Sequence, residues 1–235
     1  MLLTGKKSLP WRGRHLVDFL DAGEALSREM ELLDHVSHNP EHRHLWFWES
    51  PRCLVSPKNL TNKPQFDEAS QRLAAEGWPV NLRSTGGDVT PQGTGILNVS
   101  HVYATRPGKQ VDLKEEYDRL CTPIEKALGS GASRGWQPGA FCDGEYNVQL
   151  NGLKFAGTAM RIRRSKADRS RNAILAHAIM LIDPVSIEAI DAINRFLNAL
   201  GEERQIDLSA HTSLPGGYLK KDFVAKLTGA FETCV

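Results

Sequence analysis

The chain is poor in cysteine: four in 235 residues, Cys53, Cys121, Cys142 and Cys234, far apart and with no C-x-x-C pair. That spacing fits reduced thiols in a cytoplasm better than a disulfide framework or a zinc site. No apolar run approaches the ~18 residues of a membrane-crossing helix, so no membrane association is expected. The opening Met1-Leu2-Leu3-Thr4-Gly5-Lys6-Lys7 lacks the apolar centre of a secretory signal. An excess of one charge is missing too. The 29 basic and 28 acidic residues leave a formal +1, which excludes a partner held mainly by bulk electrostatics, such as nucleic acid. There is no repeat, no low-complexity segment and no dividing linker, so residues 1–235 read as one domain long enough to bury a large core.

What is present is a series of amphipathic segments. Ala22, Leu26, Leu33 and Val36 recur at helical spacing over 21–36. The histidines His35, His38, His42 and His44 follow. The Asn39-Pro40 turn signal among them, with no matching acidic or thiol cluster, favours a solvated loop over a metal site. Residues 45–49 and 52–56 read as strands broken by Pro51, 67–76 as a helix closed by Gly77, and 79–83 as a short strand. Leu113, Tyr117, Leu120, Ile124 and Leu128, stopped by Gly129, predict a helix over 113–128. Six basic residues lie between Arg161 and Arg171, as a solvated loop or a docking surface for an acidic partner. The apolar run 173–182 reads as a buried strand, with His177 a satisfied core histidine sooner than a catalyst; no separate general base stands out, and His177 and His101 are weak candidates for one. Residues 186–200 and 222–232 read as the last two helices.

Two stretches carry chemistry. In the first, Arg83-Ser84-Thr85-Gly86-Gly87-Asp88-Val89-Thr90-Pro91-Gln92-Gly93-Thr94-Gly95, four glycines fall within ten residues between strands. Such a connection lets backbone amides approach a ligand, or merely turns between strands. It is not a nucleotide P-loop, because the G-K-[ST] ending is absent.

The second stretch is Gly139 to Arg164. Asn151-Gly152 between alternating segments predicts a two-residue hairpin that pairs Leu150 with Leu153, Gln149 with Lys154, Val148 with Phe155 and Asn147 with Ala156. One face is then apolar: Tyr146, Val148, Leu150, Leu153 and Phe155. The other carries Asn147, Gln149 and Lys154 beside the small Ala156 and Thr158. On that face Lys154 could meet a ligand carbonyl or simply solvent, and its truncation is expected to leave folding intact. Cys142, on a loop tightened by Gly139 and Gly144, is a reactive thiolate near a lysine or a small buried hydrophobe.

Together these stretches resemble the biotin/lipoate protein ligase and octanoyltransferase superfamily over about residues 15–232. Arg83-x-x-Gly86-Gly87-x-Val89 with Gly95-x-Leu97-Asn98-x-Ser100 is similar to the acyl-group loop. Asn147-x-x-x-x-Gly152-x-Lys154-x-Ala156-Gly157-x-Ala159 is similar to the segment with the acyl-contacting lysine, and Thr212-Ser213-Leu214 to the end of the catalytic domain. Phe141-Cys142-x-Gly144-x-Tyr146-Asn147 looks most like the cysteine-dependent octanoyl-[H protein]:protein octanoyltransferases. Asp88 in place of a third glycine, and Pro91-Gln92, depart from the common pattern.

The resemblance implies an α/β fold, a mixed and largely antiparallel sheet flanked by helices, with no C-terminal accessory domain. It implies a lipoate-assembly acyltransferase with Cys142 and Lys154 catalytic, and Arg83, Gly86, Gly87, Asp88, Asn98, Asn147, Ala156, Gly157 and Thr158 binding substrate. The implied donor is an acyl carrier protein or the glycine-cleavage H protein, and the implied acceptors are lipoyl domains of 2-oxoacid dehydrogenases. No cofactor or metal is expected. ATP and magnesium enter only under the alternative of an ATP-dependent lipoate ligase, and a second alternative is a non-catalytic carrier-binding protein on the same fold.

Overall fold

The computed structural model describes residues 16–234, so the opening segment read above lies outside the described residues. A seven-stranded sheet runs β1 (Val17–Phe19), β2 (His44–Glu49), β6 (Ile96–Ala104), β10 (Asn172–Leu181), β9 (Leu153–Arg164), β8 (Val148–Leu150) and β7 (Ala132–Arg134) in spatial order. Only the β1–β2 pair is parallel within it. A smaller sheet holds β4 (Val80–Arg83), β3 (Cys53–Pro57) and β5 (Thr90–Gln92). The two strands expected around Pro51 therefore part company: β2 enters the large sheet and β3 the small one.

Five helices cover the sheets: α1 (Ala22–His38), α2 (Phe66–Ala75), α3 (Leu113–Leu128), α4 (Ile187–Ala199) and α5 (Lys220–Cys234). Their starts follow from side chains that satisfy otherwise orphaned amides. The Asp21 carboxylate accepts from Gly23 and Glu24, Asp112 from Lys114 and Glu115, and the Ser186 hydroxyl from Ala189.

β10 lies at the centre of the sheet and is covered on both sides, which is why its sequence is almost continuously apolar. Strand alternation still divides it. Ile174, Ala176, Ala178 and Met180 join Leu120 and Ile124 of α3 and Phe223, Leu227 and Phe231 of α5 in the main core. Ala173 and Leu175 instead pack on Leu33 and Val36 of α1. His177 and Ile179 share that second side, opposite Ser100 and Asn98 of β6 and opposite Ala159 and Gly157 of β9.

The hairpin forms with a change of register. Leu150 pairs with Leu153 and Gln149 with Lys154, but Val148 pairs with Ala156, leaving Phe155 as the extra residue of a bulge. The bulge turns Phe155 into the core against Phe223, with ring centroids 5.8 Å apart at 72°. Ala156 goes with it, fully buried in the main core rather than on a polar face.

The basic run is shared between β9 and the turn after it, and much of it is already paired. Arg163 and Lys166 both reach Asp34 of α1, at 2.6 and 2.9 Å, and Arg171 reaches Glu41 at 2.5 Å. The Asp34 pairs fasten α1 to β9 and the turn after it, and the Glu41 pair fastens the turn that follows α1.

Phe223 joins α5 to β9, and both rings are sealed from solvent. Phe223→Ala should therefore cost about 3–5 kcal/mol, read as a lowered urea midpoint with unchanged slope. A midpoint that stays put would show that α5 is not part of the cooperative core.

Candidate active site

Cys142 stands on a loop between β7 and β8, in a left-handed conformation at φ 47° that few residues other than glycine adopt. Three contacts hold that shape. The Lys154 ammonium donates to the carbonyl oxygens of Phe141 and Cys142, the latter at 2.7 Å. The Asn147 amide donates to the Cys142 carbonyl at 3.3 Å and to Asp143 at 3.2 Å. The Phe141 N–H donates to Nε2 of His211 at 3.2 Å, with the two rings stacked 4.5 Å apart.

The sulfur faces the glycine-rich connection. The Asp88 N–H points at it from 3.3 Å, and Nη2 of Arg83 lies 4.0 Å away. Arg83 is buried and clamps the connection: its guanidinium donates to the carbonyl oxygens of Gly86, Asp88 and Val55. A Cβ at Gly87 would lie 2.7 Å from the sulfur and 2.9 Å from Nη2, so only glycine permits this approach. The Asp88 carboxylate turns away and pairs with Arg204.

A narrow pocket opens beside the sulfur, between Trp48, Leu26 of α1 and the β6–β10–β9 face of the sheet. Of the residues expected to bind substrate, Arg83, Asn98, Gly157 and Thr158 line it together with Cys142. Asn98 is fixed there by Gln92, at 2.8 and 3.1 Å, and by the Trp48 carbonyl. Gly86, Gly87, Asp88 and Asn147 form the frame around the sulfur instead. Ala156 faces the opposite core, and the small side chain on the pocket side is Ala159, which alternation from Gly157 indicates.

Lys154 is the largest departure from the sequence reading. It is wholly buried rather than on an exposed polar face, because the bulge and the Cys142 loop enclose it. Burial pulls its pKa down to about 8, against the opposing effect of nearby Cys142 and Asp143. His211, immediately before Thr212-Ser213-Leu214, was missed. Burial and the Lys154 charge push its pKa down to about 4, so it is neutral and accepts the Phe141 N–H. His177 is likewise not a core histidine: it lines the pocket.

The other thiols differ. Burial pushes Cys53 up to about 11 and Cys121 up to about 12. Both should resist iodoacetamide in the folded protein, since the thiolate is the reacting form. His101, 2% exposed, is stacked on Tyr103 in the main core and touches no part of the pocket. His35 and His42 hydrogen-bond one another at 2.8 Å.

A thiol facing an amide and a guanidinium, at the edge of a narrow slot and backed by a buried ammonium, is an arrangement suited to nucleophilic acyl transfer. The comparisons with known proteins give the family. Residues 21–211 match the lipoyl protein ligase A/B catalytic domain, and the chain belongs to that family. It is 37% identical over 182 residues to the octanoyl-[GcvH]:protein N-octanoyltransferase of Kyrpidia tusciae, a match covering 72% of this chain and 62% of that enzyme. An uncharacterized protein of Cupriavidus necator is 35% identical over 209 residues, 81% of each chain. Among solved structures, a candidate lipoate protein ligase from T. acidophilum with bound lipoic acid has a TM-score of 0.65 at 16% identity, covering 94% of this chain and 84% of that one. It shares the fold: a large, mostly antiparallel sheet with flanking helices. Among the described residues no helix is long and apolar enough to cross a membrane.

Two outcomes follow from this geometry. Gly87→Ala, strained at φ 96° and crowded against the sulfur, should lose about 1–2 kcal/mol in urea unfolding and alter the alkylation rate of Cys142. Gly86→Ala, whose Cβ meets nothing within 4 Å, should do neither. Equal behaviour of the two variants would remove the close-approach argument.

The second outcome concerns pH. Between about 8 and 10.5 the folded state binds fewer protons at Lys154 than the unfolded chain does, so the contribution of Lys154 to stability rises with pH. Below about 8 the buried charge is carried at its full cost. The unfolding free energy of the wild type should therefore gain about 3 kcal/mol on that of Lys154→Met across this window. A difference independent of pH would mean that the ammonium is not buried as charge.

Proposed function

We propose that the protein is an acyltransferase of lipoate assembly, moving an octanoyl or lipoyl group from a carrier protein to a lysine of a lipoyl domain through a Cys142 thioester. The single observation that supports this most is the sulfur itself, placed between the Asp88 N–H and Arg83 on the wall of the pocket. Because the match spans 62% of the Kyrpidia enzyme, its donor, the glycine-cleavage H protein, enters here as part of the proposal. An acyl carrier protein is the alternative donor, and the lipoyl domains of 2-oxoacid dehydrogenases are the acceptors.

In this reading the acyl chain occupies the slot bordered by Gly157 and Ile179, and its carbonyl carbon meets the Cys142 sulfur. The Asp88 N–H and Arg83 face the sulfur and hold it at the edge of the slot. As the carbonyl oxygen becomes an oxyanion, backbone amides of the Gly86-Gly87 turn hold it. Lys154 keeps the loop carbonyls in place with two of its three hydrogens. Its nitrogen also lies 3.2 Å from where a Cβ at Gly157 would stand, which puts the ammonium beside the slot. The acceptor lysine then attacks the thioester and sulfur leaves. The reaction needs neither ATP nor a metal.

The test is intact-mass spectrometry after mixing with an octanoylated carrier. One octanoyl group should appear on the protein without ATP, leave with hydroxylamine, and be absent from Cys142→Ser. Cys53→Ser, Cys121→Ser and Cys234→Ser should behave as wild type. Full transfer by Cys142→Ser, with pyrophosphate released from ATP and magnesium, would establish a ligase instead. Failure of every donor, with or without ATP, would leave a carrier-binding protein.

A further inference from the structure

The proposed transfer requires protons to move between a lysine nitrogen and the Cys142 sulfur. An acceptor lysine, with an ordinary pKa near 10.4, arrives as an ammonium that cannot attack. Lys154 has two hydrogens committed to loop carbonyls, and Arg83 does not release protons in proteins. His211 is turned toward the Phe141 N–H. Besides Arg83 and Cys142, the titratable side chain lining this pocket is His177.

His177 is held as a proton-transfer group would be. Its Nδ1 lies 3.1 and 3.2 Å from the two oxygens of Glu29 on α1. Glu29 is 2% exposed, and its Oε1 also accepts the Ser100 hydroxyl at 2.6 Å. Ser100 in turn accepts from the Trp48 indole at 3.3 Å. With Glu29 accepting at Nδ1, that nitrogen carries the hydrogen and Nε2 keeps its lone pair. Nε2 meets the Thr85 hydroxyl at 2.9 Å, one residue before Gly86-Gly87. Thr85 and Glu29 also border a second groove of about 260 Å³, which shares Leu26 with the acyl pocket. The imidazole thus borders the slot for the acyl chain, and its two partners, Glu29 and Thr85, border the groove beside it.

We propose that His177, oriented by Glu29, carries the proton between the reacting amine and the Cys142 sulfur, directly or through the Thr85 hydroxyl. This rests on the acyltransferase reading. With an amide-linked donor, the C–S bond forms and the C–N bond breaks, and the proton lost by the Cys142 thiol passes through His177 to the departing lysine nitrogen. In the second half the steps reverse. The acceptor ammonium first gives one proton to solvent; its nitrogen then forms a C–N bond and yields a second proton to Nε2, the C–S bond breaks, and the sulfur recovers that second proton. One group serves both halves because both exchange a lysine nitrogen for a sulfur.

The experiment compares two donors in the purified protein. One is a carrier bearing Nε-octanoyl-lysine. The other is S-octanoyl-N-acetylcysteamine, whose leaving thiol departs without help from an acid. His177→Gln should lose far less in acylation by the thioester, whose leaving group needs no proton, than in acylation by the amide. Acylation from the amide donor, and discharge of the acyl-enzyme to an acceptor lysine, should fall roughly 10²–10⁴-fold. Glu29→Gln should show the same selective loss to a smaller extent, and added imidazole should restore part of the lost rate in His177→Ala. Equal loss with both donors, or no loss with either, overturns the proposal and leaves the network a structural tie. A wild-type protein that neither donor acylates at Cys142 defeats the parent reading and this inference with it. Thermal unfolding of each variant identifies a loss that comes from misfolding.

Discussion

The site depends on one buried cation. The Lys154 ammonium, sealed from solvent, is coordinated by the carbonyl oxygens of Phe141 and Cys142. An unpaired buried charge is costly, and these carbonyls answer it by pointing inward, which requires the left-handed backbone at Cys142. That backbone presents the sulfur to the Asp88 N–H and to Arg83. The bulge at Phe155 makes the arrangement possible, because it lets Lys154 turn toward the loop while its two successors enter the core. Stability is given up locally so that the loop has one shape.

The sheet does the rest through a period of two. On one side β6, β10 and β9 feed the core beneath α3 and α5. On the other the same strands present Asn98, Ser100, His177, Ile179, Gly157 and Ala159 beneath α1. A slot floored by small residues and walled by tryptophan and leucine arises where α1 leaves that face. The glycine-rich connection closes one end and brings its amides to the sulfur. Recognition, positioning and reactivity therefore come from three separated segments that meet only in the folded sheet.

Much of this was legible in the residues. The helix over 113–128 coincides with α3, and the other helices fall within a few residues of their predicted places. The Asn151-Gly152 turn, the closeness of Cys142 and Lys154, and the family itself could all be read. The bulge could not, since an extra residue in a strand leaves no trace in composition. Everything that followed from register was misjudged with it: the exposure of Lys154 and the face of Ala156. His177 and Glu29 lie 148 positions apart in the sequence, and their hydrogen bond exists only because α1 packs on β10. His211 carried no signal of its own beyond its position beside Thr212-Ser213-Leu214.

The central claim is that the acyl group resides on the Cys142 sulfur while Lys154 remains a buried donor. Carbon-13 NMR of the protein mixed with a carrier labelled at the octanoyl carbonyl separates the possibilities directly. The account predicts an enzyme-bound resonance at a thioester shift, present in wild type and absent from Cys142→Ser. An enzyme-bound resonance at an amide shift, assigned to Lys154, would contradict it.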